Sequence, residues 1–135
     1  MITLPFVSAA TAGVLVIVQM LLLFAVVIQR RRHGQSLGEG GDPAVQRAVR
    51  RHGNFAENAA LFVAAFALFE LLGGPRQTLM ILCAVFLAAR LSHAIGLSLA
   101  NTVNVFRIAG ILGTVGVGLT LGVWLIGLAA PHLSL

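Results

Sequence analysis

Apolar residues fill four long stretches of the chain, and polar residues gather where those stretches meet. The first run, Phe6 to Gln29, is roughly 36 Å long as a helix, enough to cross a bilayer with some tilt. The second opens as a polar helix behind Asp42 and Pro43, a pair suited to N-cap and N1. It turns apolar near Phe55 and stops at Gly73-Gly74. The third follows Pro75 and runs to about Leu99, and the fourth runs from about Asn104 to Ala130, ahead of Pro131. The connections "RRRHGQSLGEGG", "GGPR" and "LANTVN" are short, which predicts an all-α, four-helix antiparallel membrane bundle in a single domain, 1–135. The expected helices are 6–29, 43–72, 76–99 and 104–130. The glycine-rich stretch from Gly38 to Gly41 reads as a mobile loop.

Composition sharpens this picture. Of 135 residues, 59% are hydrophobic and 10% charged, against about a quarter charged in a soluble domain. The mean hydropathy is +0.98. Little of such a chain can face water, so it reads as a multi-pass integral membrane protein. The first run continues into "QRRRHG", not into a small-residue cleavage site, which argues for a retained helix over a cleaved signal peptide. Cys83 is the only cysteine, which excludes an intrachain disulfide and a thiolate metal cluster.

All nine basic residues are arginine, and their positions set a direction. Arg30, Arg31, Arg32, Arg47, Arg50, Arg51 and Arg107 fall at one end of the expected bundle, and Arg76 falls at the other. Cytoplasmic ends carry the basic excess. Both termini are therefore expected outside the cytoplasm, as in a bacterial inner-membrane protein. The charge is a local patch with no aromatic-interleaved groove, so no nucleic-acid partner is expected.

Candidate chemistry sits on the second and third helices. At about 100° per residue, Arg47, Arg50, Arg51, Asn54, Glu57 and Asn58 share an arc of about 120°, and His52 lies about 140° from Arg47. Arginines at a helix end commonly snorkel to anionic headgroups. That explains Arg47 and Arg51, but not the deeper Asn54 and Glu57, since a carboxylate does not seek anionic lipid. Glu57 could also simply pair with Arg50 or Arg90. On the third helix Arg90, His93, Leu97 and Asn101 share a face. Arg90 lies too deep for an interfacial anchor, and ionisable groups within a membrane bundle are functional candidates. Several cations, one carboxylate and a few amides complement a small zwitterion richer in carboxylates than amines. The chain has no H-E-x-x-H, P-loop or G-x-S-x-G motif and no paired catalytic carboxylates, which disfavours a metalloenzyme, an NTPase and a hydrolase.

These residues resemble a family, the membrane-associated proteins in eicosanoid and glutathione metabolism, and in particular its short bacterial members. The helix-two signature of an arginine, an asparagine four residues on and a glutamate three further is matched by Arg50, Asn54 and Glu57. The flanking "GDPAVQRAVRRHGN", Phe62 and the "ARLSH" that holds Arg90 and His93 are also similar to the family. Arg107 stands where the family places an arginine at the cytosolic end of helix four. Chain length and four-helix organisation extend the likeness over nearly the whole chain. The resemblance implies a homotrimer among membrane lipids, with glutathione as co-substrate bound between subunits and no metal. Arg50, Asn54, Glu57, Asn58, Arg90 and His93 would hold the tripeptide, with an arginine from Arg30–Arg32, taken as Arg30, reaching a carboxylate. Arg107 would act catalytically on the glutathione sulfur, directing it against a lipophilic small molecule, in a transferase or peroxidase-like reaction. The sequence departs from the family in having no tyrosine; Leu97 and Asn58 occupy positions where members carry one, and Leu61 stands where many have a helix-two proline. The alternative is a non-catalytic trimer that binds an anionic lipid or serves as an accessory subunit.

Other features read as packing. Gly110, Gly113, Gly116, Gly118, Gly122 and Gly127 allow close approach of helix four, including a G-x-x-x-G at Gly118 and Gly122. Trp124 reads as an interfacial aromatic, Cys83 as inert packing, and Glu70 as solvated or paired with Arg76.

Overall fold

The computed structural model describes residues 4–38, 41–99 and 103–133. Asn101 and Glu39 lie outside the described residues. Four helices follow one another, α1 Phe6–Arg32, α2 Pro43–Leu71, α3 Arg76–Ser98 and α4 Val105–Ala129, and a 3-10 turn, Ala130–His132, closes the described chain. All four are long and apolar enough to cross a membrane. The all-α four-helix membrane architecture is thus observed, with α1 running past Gln29 to Arg32.

Each helix boundary has a local cause. At the start of α2 the Asp42 carboxylate accepts from the N–H groups of Ala44 (2.8 Å) and Val45 (3.2 Å), and Pro43 supplies the first helical residue. These are donors with no partner within the helix. Asp42 also pairs with His33 Nδ1 at 2.8 Å, joining the end of α1 to the start of α2. The Ala44 N–H holds the Asp42 carboxyl below the usual carboxylate range; partial desolvation opposes this, and Val45, His33 and Arg47 add to it. After Leu72 the chain turns through Gly73 at φ +78°, a left-handed conformation open to glycine. Asn104 caps α4 by accepting the N–H of Arg107 at 3.0 Å.

Glu70 is attracted by Arg76, as its position suggests, and it has a second role as well. Its carboxylate accepts the N–H groups of Val7 (3.0 Å) and Ser8 (2.8 Å) and the Ser8 hydroxyl. The end of α2 thereby caps the start of α1, which itself has no side-chain cap. The reason is electrostatic, since uncapped N–H groups and the positive end of a helix attract an anion.

The interior is aromatic. Phe55, Phe62, Phe66 and Phe69 lie on the buried face of α2, and Phe86 of α3 stacks on Phe62 with ring centroids 4.1 Å apart. Phe66 meets Phe86 edge-on at 5.7 Å, and Phe69 meets the half-exposed Trp124 at 5.9 Å. Cys83 is buried within this cluster. Glycines bring α4 against its neighbours at three of the six anticipated positions. A Cβ on Gly110 would lie 2.5 Å from His93 Cβ, one on Gly113 2.8 Å from Ala89 Cβ, and one on Gly118 3.1 Å from the Phe62 ring. Gly116, Gly122 and Gly127 face open space within the chain, so only Gly118 of the G-x-x-x-G pair packs here.

A polar cleft at the arginine-rich end

The α2–α3–α4 junction opens into a cleft of about 330 Å³. Arg50, Asn54 and Asn58 line it from α2, Arg90, His93 and Leu97 from α3, and Arg107, Ile111, Thr114 and Val115 from α4. Its size lies at the lower end of small-molecule sites.

Arg90 organises the floor. Only 3% of it is exposed, and its Nη2 donates to the Asn54 carbonyl at 2.7 Å and to Asn54 Oδ1 at 3.0 Å. Nη1 faces Thr114 Oγ1 at 3.4 Å, and the guanidinium lies 5.9 Å from the Phe55 ring centroid. Thr114 in turn donates its hydroxyl to the Gly110 carbonyl at 2.8 Å, which leaves its oxygen lone pairs free to accept. A buried guanidinium is tolerable only when its donors find acceptors, and Asn54 supplies two. Arg90 forms no salt bridge with Glu57 among the described residues, and the two attract each other only at longer range.

Two buried polar atoms beside this network have no hydrogen-bond partner, Arg90 Nε and His93 Nδ1. Such groups are uncommon and point to a missing partner such as a ligand or water. Asn58 donates weakly to the Asn54 carbonyl at 3.3 Å.

The Arg107 wall is set by one asparagine and one glycine. Asn104 Nδ2 donates to the Gly96 carbonyl at 2.9 Å while its Oδ1 caps Arg107, so a single side chain ties the end of α3 to the start of α4. A Cβ at Gly96 would lie 2.6 Å from Arg107 Cγ and 2.7 Å from Arg107 N. Only a residue without a side chain lets Arg107 pack there. Ser92 Oγ donates to the Phe106 carbonyl at 2.9 Å and adds a second tie.

The structure divides the polar arc of α2. Arg50, Asn54 and Asn58 face the cleft. Arg51 instead donates to Ser98 Oγ at 2.6 Å, Arg47 is exposed, and Glu57 is exposed on the outside of the bundle. Arg30 is not brought to the cleft. It donates to the Ser36 carbonyl at 3.0 Å and lines a separate recess with Arg31 at the end of α1. Of the candidate residues, Arg50, Asn54, Asn58, Arg90, His93 and Arg107 therefore meet within one chain, and Glu57 and Arg30 do not. Sequence reasoning missed Thr114, Gly96 and Asn104. A hydroxyl buried in an apolar run was the available signal for Thr114, and the N-cap preference of asparagine for Asn104. No group of three or more His, Cys, Asp or Glu able to hold a metal occurs among the described residues.

Against known proteins, the MAPEG family model matches residues 8–129. No curated protein matches the chain.

Proposed function

The chain belongs to the MAPEG family, and from that membership and the polar cleft we propose that it is a glutathione-dependent membrane enzyme. The reading has it working as a homotrimer, with the arginine-rich end in the cytoplasm and both termini across a bacterial inner membrane. The observation that carries it is the convergence of Arg50, Asn54, Arg90, His93 and Arg107 on one cleft, where two buried polar atoms lack partners.

Glutathione carries two carboxylates, an ammonium and a thiol. Arg50 is suited to hold a carboxylate, since a guanidinium grips one with two parallel hydrogen bonds. Arg90 keeps Nε available after Asn54 has engaged Nη2. Glu57 fits the ammonium, and its outward position favours a site completed by a neighbouring subunit; Arg30 would then arrive from the same or an adjacent chain. Glutathione supplies the nucleophilic sulfur. An ordinary thiol has a pKa near 8.5, and only its thiolate is a good nucleophile. Lowering that pKa by about two units takes about 2.7 kcal/mol of preferential thiolate stabilisation. Arg107, fixed by Asn104 and Gly96, offers a guanidinium in a partly dry site where such stabilisation is strong. Leu97, Ile111 and Val115 give the cleft an apolar wall against which a lipophilic electrophile or hydroperoxide can approach from the bilayer.

The test is Arg107→Ala in purified protein. The ultraviolet thiolate signal of the glutathione complex should disappear, and conjugation of a small chlorinated nitrobenzene should fall far more than glutathione affinity, because the charge acts on the reacting sulfur. Wild-type protein that binds glutathione with no thiolate signal would sink the catalytic role. A second reading, a non-catalytic trimer that binds an anionic lipid or serves as an accessory subunit, is favoured by one observation: with no tyrosine in the chain, no phenol is available to hydrogen-bond the sulfur. Failure to bind glutathione at all would select it.

A further inference from the structure

A second opening lies at the far end of the bundle, between the starts of α1 and α3. Its volume is about 400 Å³, and Val7, Ala10, Met80, Cys83, Ala84 and Leu87 line it. These two helices touch only sparsely, and the small side chains of Ala10 and Ala84 keep the gap open. Arg76 stands at its rim as the first residue of α3. From Arg76 to Leu87 the groove follows α3 for about 16 Å. That is close to half of the ~30 Å hydrocarbon core, the depth of one leaflet.

Arg76 makes no ion-pair contact among the described residues, and Glu70 acts on it only at longer range. Arg76 is exposed and makes no hydrogen bond or salt bridge among the described residues. It sits where the helix field is itself positive, with no acidic residue in the first turn of α3, an unfavourable place for a cation. The nearest acid is Glu70, whose carboxylate is already spent on three donors at the start of α1. The other acidic side chains of the chain are Glu39, Asp42 and Glu57. Asp42 caps α2 at the opposite end, Glu39 belongs to the same connection, and Glu57 lies about 20 Å from Glu70 along α2. A second copy docking here thus has no acidic side chain at the right level to meet Arg76, whereas an anionic lipid has both a charge and a chain.

We propose that this groove is a binding site for an anionic phospholipid of the leaflet opposite the polar cleft, with the phosphate on Arg76 and one acyl chain between α1 and α3. The proposal is independent of the glutathione reading. An arginine near a lipid headgroup contributes about 1 kcal/mol, which corresponds to about a fivefold preference.

Native mass spectrometry of delipidated full-length protein, titrated with phosphatidylglycerol or phosphatidylcholine of matched chains, tests it. Phosphatidylglycerol should bind about fivefold more tightly, at one retained lipid per chain. Arg76→Gln should abolish the preference while Arg47→Gln, an exposed cation at the other end, keeps it. Both positions are exposed, so folding should survive. Ala84→Phe should fill the groove and remove the retained lipid of either kind, because Ala84 lines the groove and is exposed there. Equal affinity for the two lipids, or a preference that persists in Arg76→Gln, would overturn the proposal. So would loss of oligomers in Ala84→Phe with lipid binding intact, which would give the groove to a second copy. Oleate binding that outcompetes phosphatidylglycerol would give it to free fatty acids instead.

Discussion

Arg90 and Asn54 show how a charge survives within an apolar bundle. Asn54 meets the guanidinium with both its carbonyl and its side-chain oxygen, so the cation is solvated by neutral oxygens, with no carboxylate in direct contact among the described residues. Asn54→Ala removes one of these acceptors from a buried charged donor, which should cost about 1.5–3 kcal/mol. Asn58→Ala, whose amide makes only one long hydrogen bond, should cost less than 1 kcal/mol. Thermal unfolding of both variants in the same detergent checks the ordering, and equal losses would show that Asn54 does not hold Arg90. At this scale the sequence was legible where spacing carried information. Arg90 and His93, three residues apart, read correctly as one face, as did Asn54 and Asn58. Thr114 did not, because one hydroxyl in a run of glycine and valine has no periodic signature, and its role exists only through Arg90 on another helix. The polar arc misled at Arg51 and Glu57 for a related reason: a wheel gives direction about one axis but not which neighbour stands there.

At the scale of elements, the decisive contacts are those that let α4 lie close to α3. A Cβ at Gly96 would press on the Arg107 backbone and Cγ, so Gly96→Ala should force α4 outward. Overpacking of this kind costs about 1–3 kcal/mol, and it should also weaken any ligand that contacts Arg107. Gly116→Ala is the matched control, since nothing lies within 4 Å of its added Cβ; it should leave stability unchanged or raise it by about 0.4–1 kcal/mol. Paired unfolding and ligand-binding measurements decide, and an unaffected Gly96→Ala would mean that α4 yields without cost.

The start of α2 gives a pH-dependent expectation. Asp42 is held below its usual range first by the Ala44 N–H, with Val45, His33 and Arg47 acting the same way against partial desolvation. A depressed folded-state pKa contributes stability that is fully present above the unfolded value of about 4 and is lost as pH falls through the lower folded value. Wild type should therefore unfold at a higher temperature than Asp42→Asn at pH 7, with the gap closing as pH falls below the unfolded value of about 4. A gap that persists at the acid end would assign the effect to hydrogen bonding alone. The Asp42-Pro43 boundary was plain in the sequence because caps are local. The Glu70 cap on α1 was not, since it joins residues 62 positions apart.

For the whole molecule, four runs of apolar residues sufficed to give four membrane-crossing helices, but the number of chains in the assembly is written on surfaces that face outward. One polar group marks that surface: Glu57 is exposed on α2 with no salt bridge among the described residues. Placing an acidic side chain against lipid near the bilayer centre costs about 2.5–3.5 kcal/mol, and hydrocarbon offers it no hydrogen bond. A neighbouring copy can offer one, and three copies around α2 would bury Glu57 together with the open side of the cleft. Native mass measurement in mild detergent should accordingly show trimers. Glu57→Leu should raise the monomer share, because it removes a polar contact between chains, whereas on a chain that works alone it should stabilise the monomer by removing a charge from lipid. Wild-type protein that is monomeric throughout the accessible concentration range would rule out the trimer, and with it any site shared between subunits.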